Sequence, residues 1–343
     1  MKHTPTIYMN LPAGFIRTIQ GAFGEDGRIF LNALPDLIDQ ASARWGLTNI
    51  QPVSNLSYNF VAFAKQSNVT LSKAKGLSDN KKETLRSLRS LRETHNHDVI
   101  LKIGVPCDEL NSEMAALKLF NGNGACQLLE CDEERGFLLL ERVKPGTMLA
   151  ELENDDERTH IAAEVMTKLW REIPAAEDSG LSIVSKFIQL SRWFDELKKL
   201  RTAFDGGTGP FPDKLVTRVE QTLPRLYAES SPPCLIHGDF HHFNVLSSER
   251  GWIVIDPKGV IGHPEYEVGP LLINPWGRFL NGTNPKVQTE RRLSILSEQL
   301  GFPRQRLLDW ALCHAVLSAW WDMQPDGTGG EYSLRCAELF ASL

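Results

Sequence analysis

Residues 234–256 constrain this chain more than any other passage. The apolar run Cys234-Leu235-Ile236 leads into His237-Gly238-Asp239, Asn244 follows five residues after the aspartate, and a second apolar run closes on Ile255-Asp256. Short runs of this kind, bounded by Gly, Asp and Asn, are expected to be strands, here over residues 234–240 and 252–256. Any fold built on them must deliver Asp239, Asn244 and Asp256 to one edge. Singly, each is an ordinary strand-end or turn residue. Together they form a candidate site.

The pattern on either side differs. Leu31, Leu34, Leu37, Ile38, Ala41 and Trp45 recur at helical spacing and Gly46 supplies a stop, which predicts a helix over residues 31–45. Strand-like runs follow at 50–53, 60–65, 99–105, 126–131 and 136–143, the last two joined by a polar turn at 132–135. One helix interrupts them, with Leu110, Met114, Leu117 and Phe120 on its apolar face and Asn121-Gly122-Asn123-Gly124 at its end. The polar stretch 66–98 reads as a solvated insertion, its Leu85, Leu88 and Leu91 set between arginines. After Lys144-Pro145-Gly146 the spacing turns helical, with Ile161, Val165 and Leu169 on one helix and Phe187, Leu190, Phe194, Leu197 and Leu200 on another. The expected organisation is α+β: a small antiparallel sheet in residues 1–143, then a mostly helical part in 144–343.

Composition excludes several classes. At 343 residues the chain exceeds what one hydrophobic core usually serves, so two packed domains are expected. A formal net charge of −6 leaves no basic footprint for nucleic acid. No apolar run approaches membrane-spanning length and the start carries no secretory signal, so a cytoplasmic protein is expected. The six cysteines, Cys107, Cys126, Cys131, Cys234, Cys313 and Cys336, form no CxxC pair, which argues for reduced, buried thiols and against a zinc site.

Phosphoryl transfer needs the groups that residues 239–256 collect. One carboxylate must orient an acceptor hydroxyl and take its proton, while an amide and a second carboxylate hold the magnesium that bridges the triphosphate. Asp239, Asn244 and Asp256 suit these roles in that order. His237, Asp239 and His241 also alternate, so a strand continuing through them would set all three on one face as transition-metal ligands of a hydrolase.

His237-Gly238-Asp239 with Asn244 and Ile255-Asp256 resembles the signature of the aminoglycoside phosphotransferase family. The continuation Asp256-Pro257-Lys258-Gly259, then Gly262-His263-Pro264-Glu265-Tyr266-Glu267, is similar to its streptomycin 6-phosphotransferase and hydroxyurea phosphotransferase branch. The resemblance implies a two-lobed, protein-kinase-like α+β fold and an ATP- and Mg²⁺-dependent kinase of a small-molecule hydroxyl, with antibiotic resistance as a role. It implies Asp239 as catalytic base, Asn244 and Asp256 as metal ligands, and His237 and Glu267 as braces of the catalytic loop. A kinase of an unrelated sugar or metabolite, and a catalytically silent nucleotide-binding regulator, are the other readings.

A kinase also needs a lysine for the phosphates and a carboxylate to position it. Lys102 lies inside the apolar strand run 99–103, and Glu113 shares a helical face with Ala116, Leu117 and Phe120, so the two are expected to pair. Ser54, Asn55 and Ser57 occupy the turn where protein kinases carry a glycine-rich loop; no glycine is present there, and backbone N–H groups and hydroxyls are expected to meet the phosphates. Glu141 and Val143 fall where the family places backbone contacts to adenine. For the acceptor, Glu265, Trp321 and Asp322 are the main candidates, with Trp320, Asp326 and Glu331 beside them, since carboxylates and aromatic faces recognise polycations.

Overall fold

The structure, a computed structural model, describes residues 11–69, 94–173, 184–323 and 327–343. By contacts the chain divides into two compact units, Met1–Cys107 with Leu128–Arg142, and Asp108–Gln127 with Val143–Leu343.

The first unit is a sheet backed by a helix. Helix α1 (Ala13–Trp45) precedes β1 (Leu47–Pro52), β2 (Phe60–Val69), β3 (Thr94–Ile103), β4 (Leu128–Asp132) and β5 (Phe137–Glu141). The five strands are antiparallel in the order β1-β2-β3-β5-β4, as the alternating runs led us to expect. Side chains alternate across a strand, so Val99, Leu101 and Ile103 share one face of β3. They are buried in one cluster with Phe60, Ala62, Phe137 and Leu139 from neighbouring strands and Leu34, Ile38, Ala41 and Trp45 from α1. The opposite parity belongs to Lys102, which lies between Val61 and Leu138 in register and is 3% exposed.

Two expectations need correction here. Helix α1 begins at Ala13, well before residue 31, because it bends at Gly24 (φ 54°, ψ −120°) and packs its first part back on the second. The glycines that allow this, Gly21, Gly24 and Gly27, also obscure the helical spacing upstream. The expected insertion is strand at both ends, since β2 and β3 pair as far as Val69↔Thr94; residues 70–93, with Leu85, Leu88 and Leu91, lie outside the described residues.

The second unit is mostly helical. It contains α2 (Asp108–Phe120), β6 (Pro145–Met148), α3 (Asp155–Leu169), β7 (Ile188–Gln189), α4 (Leu190–Asp195), α5 (Leu197–Ala203) and α6 (Asp213–Glu229). Next come β8 (Cys234–Ile236), β9 (Val245–Ser248), β10 (Gly251–Val254), β11 (Val260–Gly262), α7 (Val268–Leu272), α8 (Pro285–Leu300), α9 (Arg304–Trp321) and α10 (Glu331–Ala341). Helix α9 is apolar on nearly every side and buried throughout Leu307 to Leu317, which makes it the centre of this core. Trp310, fully buried, packs there against Phe194, Tyr227, His263 and Tyr266. The single helix expected through Phe187 and Leu200 is instead β7 followed by α4 and α5, which meet at Glu196.

Two small sheets finish this unit: β10-β9-β6, and β7-β11-β8, in which β11 runs antiparallel to β8. All six cysteines are free thiols, of which Cys126, Cys313 and Cys336 are buried and the other three half-buried. Among the described residues no helix is long and apolar enough to cross a membrane.

The bend in α1 generates a test. A Cβ on Gly27 would fall 2.4 Å from the Ile19 carbonyl oxygen, whereas one on Gly21 meets nothing within 4 Å. Gly27→Ala is expected to lower unfolding free energy by about 2 kcal/mol through overpacking, and Gly21→Ala to raise it by about 0.5 kcal/mol through helix propensity. Urea titration of the two variants reads both signs.

Candidate active site

Two loops leave the β8/β11 ladder side by side. Strand β8 ends at Ile236, paired with Val260, and residues 237–244 follow; the β9/β10 hairpin then returns the chain through Asp256 to β11. His237 fastens the loops together. Its carbonyl accepts from the Lys258 N–H at 2.8 Å, and its ring Nε2 lies 2.9 Å from the Ile255 carbonyl. The ring Nδ1 accepts from the Asp239 N–H at 3.1 Å, so the ring is neutral with its proton on Nε2. Burial drives His237 down to about 4, which keeps it neutral.

Beneath the loop, the fully buried Glu267 carboxylate accepts from the N–H of Gly238 at 2.8 Å and of His237 at 3.2 Å. Burial, with Asp239 nearby, pushes Glu267 up to about 8, against these two donors. His237 and Glu267, the two residues expected to brace the loop, thus both contact its backbone. Gly238 (φ 89°) is obligatory between them, because a Cβ there would meet Val260 at 2.5 Å and Trp193 at 3.0 Å.

Asp239 projects from this support with 39% of its side chain exposed and its Oδ2 3.7 Å from His241 Nε2. Burial raises its pKa, but His241, Lys258 and His237 outweigh that and hold it below the usual carboxylate value. It stays ionised, as a group that accepts a hydrogen bond from a hydroxyl must.

Asn244 donates its amide N–H to the Asp239 carbonyl at 3.1 Å, which leaves its amide oxygen as the atom that can meet a cation. The Ile255 N–H donates to the Asn244 carbonyl at 2.9 Å, so the hairpin holds Asn244 next to the segment that ends in Asp256. Asp256 adopts φ 60°, left-handed and unusual for an aspartate, the kind of backbone strain that gathers at functional sites. One amide oxygen and one carboxylate fit Mg²⁺, which keeps waters and phosphate oxygens as its other ligands. Among the described residues no group of three His, Cys, Asp or Glu could hold a metal ion.

The alternating His237, Asp239 and His241 do not form a transition-metal set. Strand β8 stops before all three, and both ring nitrogens of His237 are occupied within the loops.

Helix α2 docks on the second loop. Its Ser112 hydroxyl donates to the Gly259 carbonyl at 2.6 Å and accepts from the Ile188 N–H at 3.3 Å, and Lys258 Nζ lies 2.7 Å from Glu109 Oε1. Gly259 (φ 66°) permits this approach; a Cβ there would fall 2.5 Å from the Ser112 carbonyl. Glu113, one turn along, is 5% exposed on the same helix.

In the sheet unit, Ser54, Asn55 and Ser57 are exposed in the turn between β1 and β2. Glu141 closes β5 and is half-buried, as is Val143.

Of the acceptor candidates, Glu265 must be reassigned. It is fully buried and accepts from the Ser231 N–H and hydroxyl at 2.8 and 3.0 Å, with Arg306 at 3.5 Å, so it supports the fold. Trp321 is 44% exposed and stands edge-on to Trp193 with centroids 5.4 Å apart. Trp193 touches the Gly238 position, so the aromatic pair borders the catalytic loop. Asp322 caps α9 there, its carboxyl raised by burial. Trp320 packs on Phe211, Glu331 accepts from the Gly329 N–H, and Asp326 lies outside the described residues.

Sequence reasoning passed over Trp193, Lys258, Glu109 and Ser112. Trp193 carried no motif, and Lys258 stood in view only as part of Asp256-Pro257-Lys258-Gly259.

A family model described as aminoglycoside/hydroxyurea antibiotic resistance kinase matches residues 84–327. The chain belongs to this family. Among its relatives, a streptomycin 6-kinase of Streptomyces glaucescens is 26% identical over 93% of this chain and 92% of that protein. A hydroxyurea phosphotransferase of Kitasatospora aureofaciens is 27% identical over 92% of this chain and 81% of that one. A choline kinase structure from Streptococcus pneumoniae, at 14% identity, shares the fold with a TM-score of 0.59 over 91% of this chain and all of that one. The kinase thus has the protein-kinase-like fold and is a small-molecule phosphotransferase that uses a nucleotide, as the resemblance implied.

Two tests follow from the buried loop support. His237 and His314 are each held near 4 by burial, below the ordinary 6.5. Their contribution to stability is complete above pH 6.5 and declines as pH falls toward 4, where the unfolded chain binds protons that the folded chain refuses; each ring accounts for up to about 3 kcal/mol. Denaturant unfolding at pH 7 and pH 4.5 should show this loss, offset in part by Glu267, whose raised pKa favours the folded chain as pH falls, and His314→Asn should make the slope shallower. Glu267→Ala strands two buried N–H groups and is expected to lower stability by about 3 kcal/mol, read in the same titrations.

Proposed function

We propose that this kinase transfers the terminal phosphoryl group of ATP, with Mg²⁺, to a hydroxyl of an aminoglycoside of the streptomycin class. The observation that carries the acceptor assignment is the Trp193 and Trp321 pair beside the catalytic loop, with Asp322 next to it. Aromatic faces and a carboxylate suit a sugar bearing guanidinium or ammonium groups. The streptomycin 6-kinase relatives support the same choice. Hydroxyurea is the second acceptor, on the strength of the hydroxyurea phosphotransferase relative.

Asp239 accepts a hydrogen bond from the acceptor hydroxyl, orients it in line with the donor phosphate and takes its proton as the new bond forms. Its low pKa favours orientation over strong basicity, which suits a loose transition state in which the hydroxyl proton leaves late. Asn244 and Asp256 would hold Mg²⁺, which when bound would neutralise charge on the donor phosphates. Lys102 supplies a cation for the phosphates, with Glu113 as the carboxylate that positions it; Ser54, Asn55 and Ser57 cover the phosphates, and the backbone at Glu141 and Val143 serves the adenine. In this assignment the sheet unit serves the nucleotide and the helical unit the acceptor. ATP supply and the free thiols support a cytoplasmic location, where phosphorylation of the drug would confer resistance.

A coupled ADP-release assay across streptomycin, hydroxyurea, other aminoglycosides and simple sugars tests the reading. Streptomycin-dependent turnover that falls by at least about 10³-fold in Asp239→Ala, with folding retained, is expected from loss of base and orientation together. Turnover with simple sugars alone would overturn the acceptor assignment, and full activity in Asp239→Ala would overturn the base.

A further inference from the structure

Lys258 has no part in the scheme above, yet it is held at both ends, by its backbone and by its ammonium. Its N–H donates to the His237 carbonyl, and its Cβ lies 3.2 Å from where a Cβ on Gly238 would stand, so the side chain starts at the base of the catalytic loop. Its side chain ends on α2, with Nζ 2.7 Å from Glu109 Oε1. A cation thus starts from the segment that follows Asp256, beside the loop that carries Asp239, and is held by a carboxylate that belongs to neither loop.

The Glu109 contact does not explain this arrangement. Glu109 is 51% exposed and Lys258 24%, and ion pairs so open to water contribute little to stability. Nor is the pair needed to dock α2, because the Ser112 hydroxyl and Gly259 carbonyl already join the helix to the loop in a buried contact. What remains is a cation on a long stem, rooted between the loops that carry Asp239 and Asp256.

We propose that Lys258 is a further phosphate-binding residue of the phosphotransfer site: its ammonium rests on Glu109 when no nucleotide is bound and moves to the terminal phosphate of the donor. A phosphate oxygen carries more charge than one carboxylate oxygen half open to water, so the exchange is favourable. In the transition state the same ammonium lies where charge spreads over the equatorial oxygens, and it offsets the repulsion that Asp239 and Asp256 exert on an incoming anion. The proposal rests on the phosphotransferase reading and adds a residue to it.

Isothermal titration of the full chain with Mg·ADP and with Mg·AMP-PNP, without acceptor, separates the cases. Lys258→Met is expected to lose about 10- to 100-fold in affinity for Mg·AMP-PNP, the worth of one charge-assisted hydrogen bond, while Mg·ADP binding stays within about twofold. Lys258→Arg should keep the preference for the triphosphate analogue. Glu109→Gln, a change at a half-exposed position, should tighten Mg·AMP-PNP severalfold by removing the competing carboxylate and leave Mg·ADP unchanged. Equal losses for both nucleotides in Lys258→Met would make the lysine a strut of the loop and overturn the proposal. So would unchanged affinities in Lys258→Met, or an unchanged analogue affinity in Glu109→Gln. A wild-type chain that binds neither nucleotide would overturn the donor assignment itself.

Discussion

The backbone of His237 and Gly238 is held from below by the Glu267 carboxylate, and the catalytic part of this kinase depends on that contact. A loop that projects an aspartate toward substrate cannot use its own N–H groups in a ladder, and buried N–H groups without partners are expensive. Glu267 supplies both acceptors from a position with no water. Its cost is a buried carboxyl whose pKa is pushed up to about 8, a strain the fold tolerates because the alternative is two orphaned donors.

From that support the rest of the site follows by short connections. The His237 ring spends both nitrogens within the loops, and the Lys258 N–H closes the gap between them, so Asp239 and Asp256 come from segments that cannot drift apart. Two left-handed residues, Gly238 and Asp256, turn the chain where the chemistry needs it to turn. For Gly238 the conformation is free of strain; for Asp256, which carries a side chain, it is the kind of backbone strain that gathers at functional sites.

The joint between α2 and the Gly259 loop ties a second element to the same frame. The glycine is required there because the Ser112 carbonyl occupies the space a side chain would take. Helix α2 therefore registers the position of the loop that carries Asp256 and Lys258, and any motion of one is felt by the other. Around these loops the aromatic groups Trp193, Tyr266 and Phe194 pack against each other, so the catalytic loop sits on a rigid surface and presents Trp193 and Trp321 at its border.

Much of this was legible in the amino-acid order. The five strands of the sheet, the helix bearing Glu113, and the loop carrying Asp239, Asn244 and Asp256 each depend on local spacing: period two, period three to four, and turn residues after apolar runs. Local patterns failed where contacts distant in sequence decide. Glu265 read as a residue for the acceptor, but it is fully buried against Ser231 and Arg306. The short run Val245-Leu246-Ser247-Ser248 is too polar to announce a strand and is one because β6 and β10 pair with both its edges. The His237, Asp239 and His241 alternation suggested a metal site that the end of β8 at Ile236 dissolves. The sequence by itself thus determined which groups this chain brings to its chemistry, since strand and turn propensities act over a few residues. Tertiary structure alone decided which of them face substrate, because burial and the neighbours of Lys258, Trp193 and Glu265 arise from segments that meet only when the chain has folded.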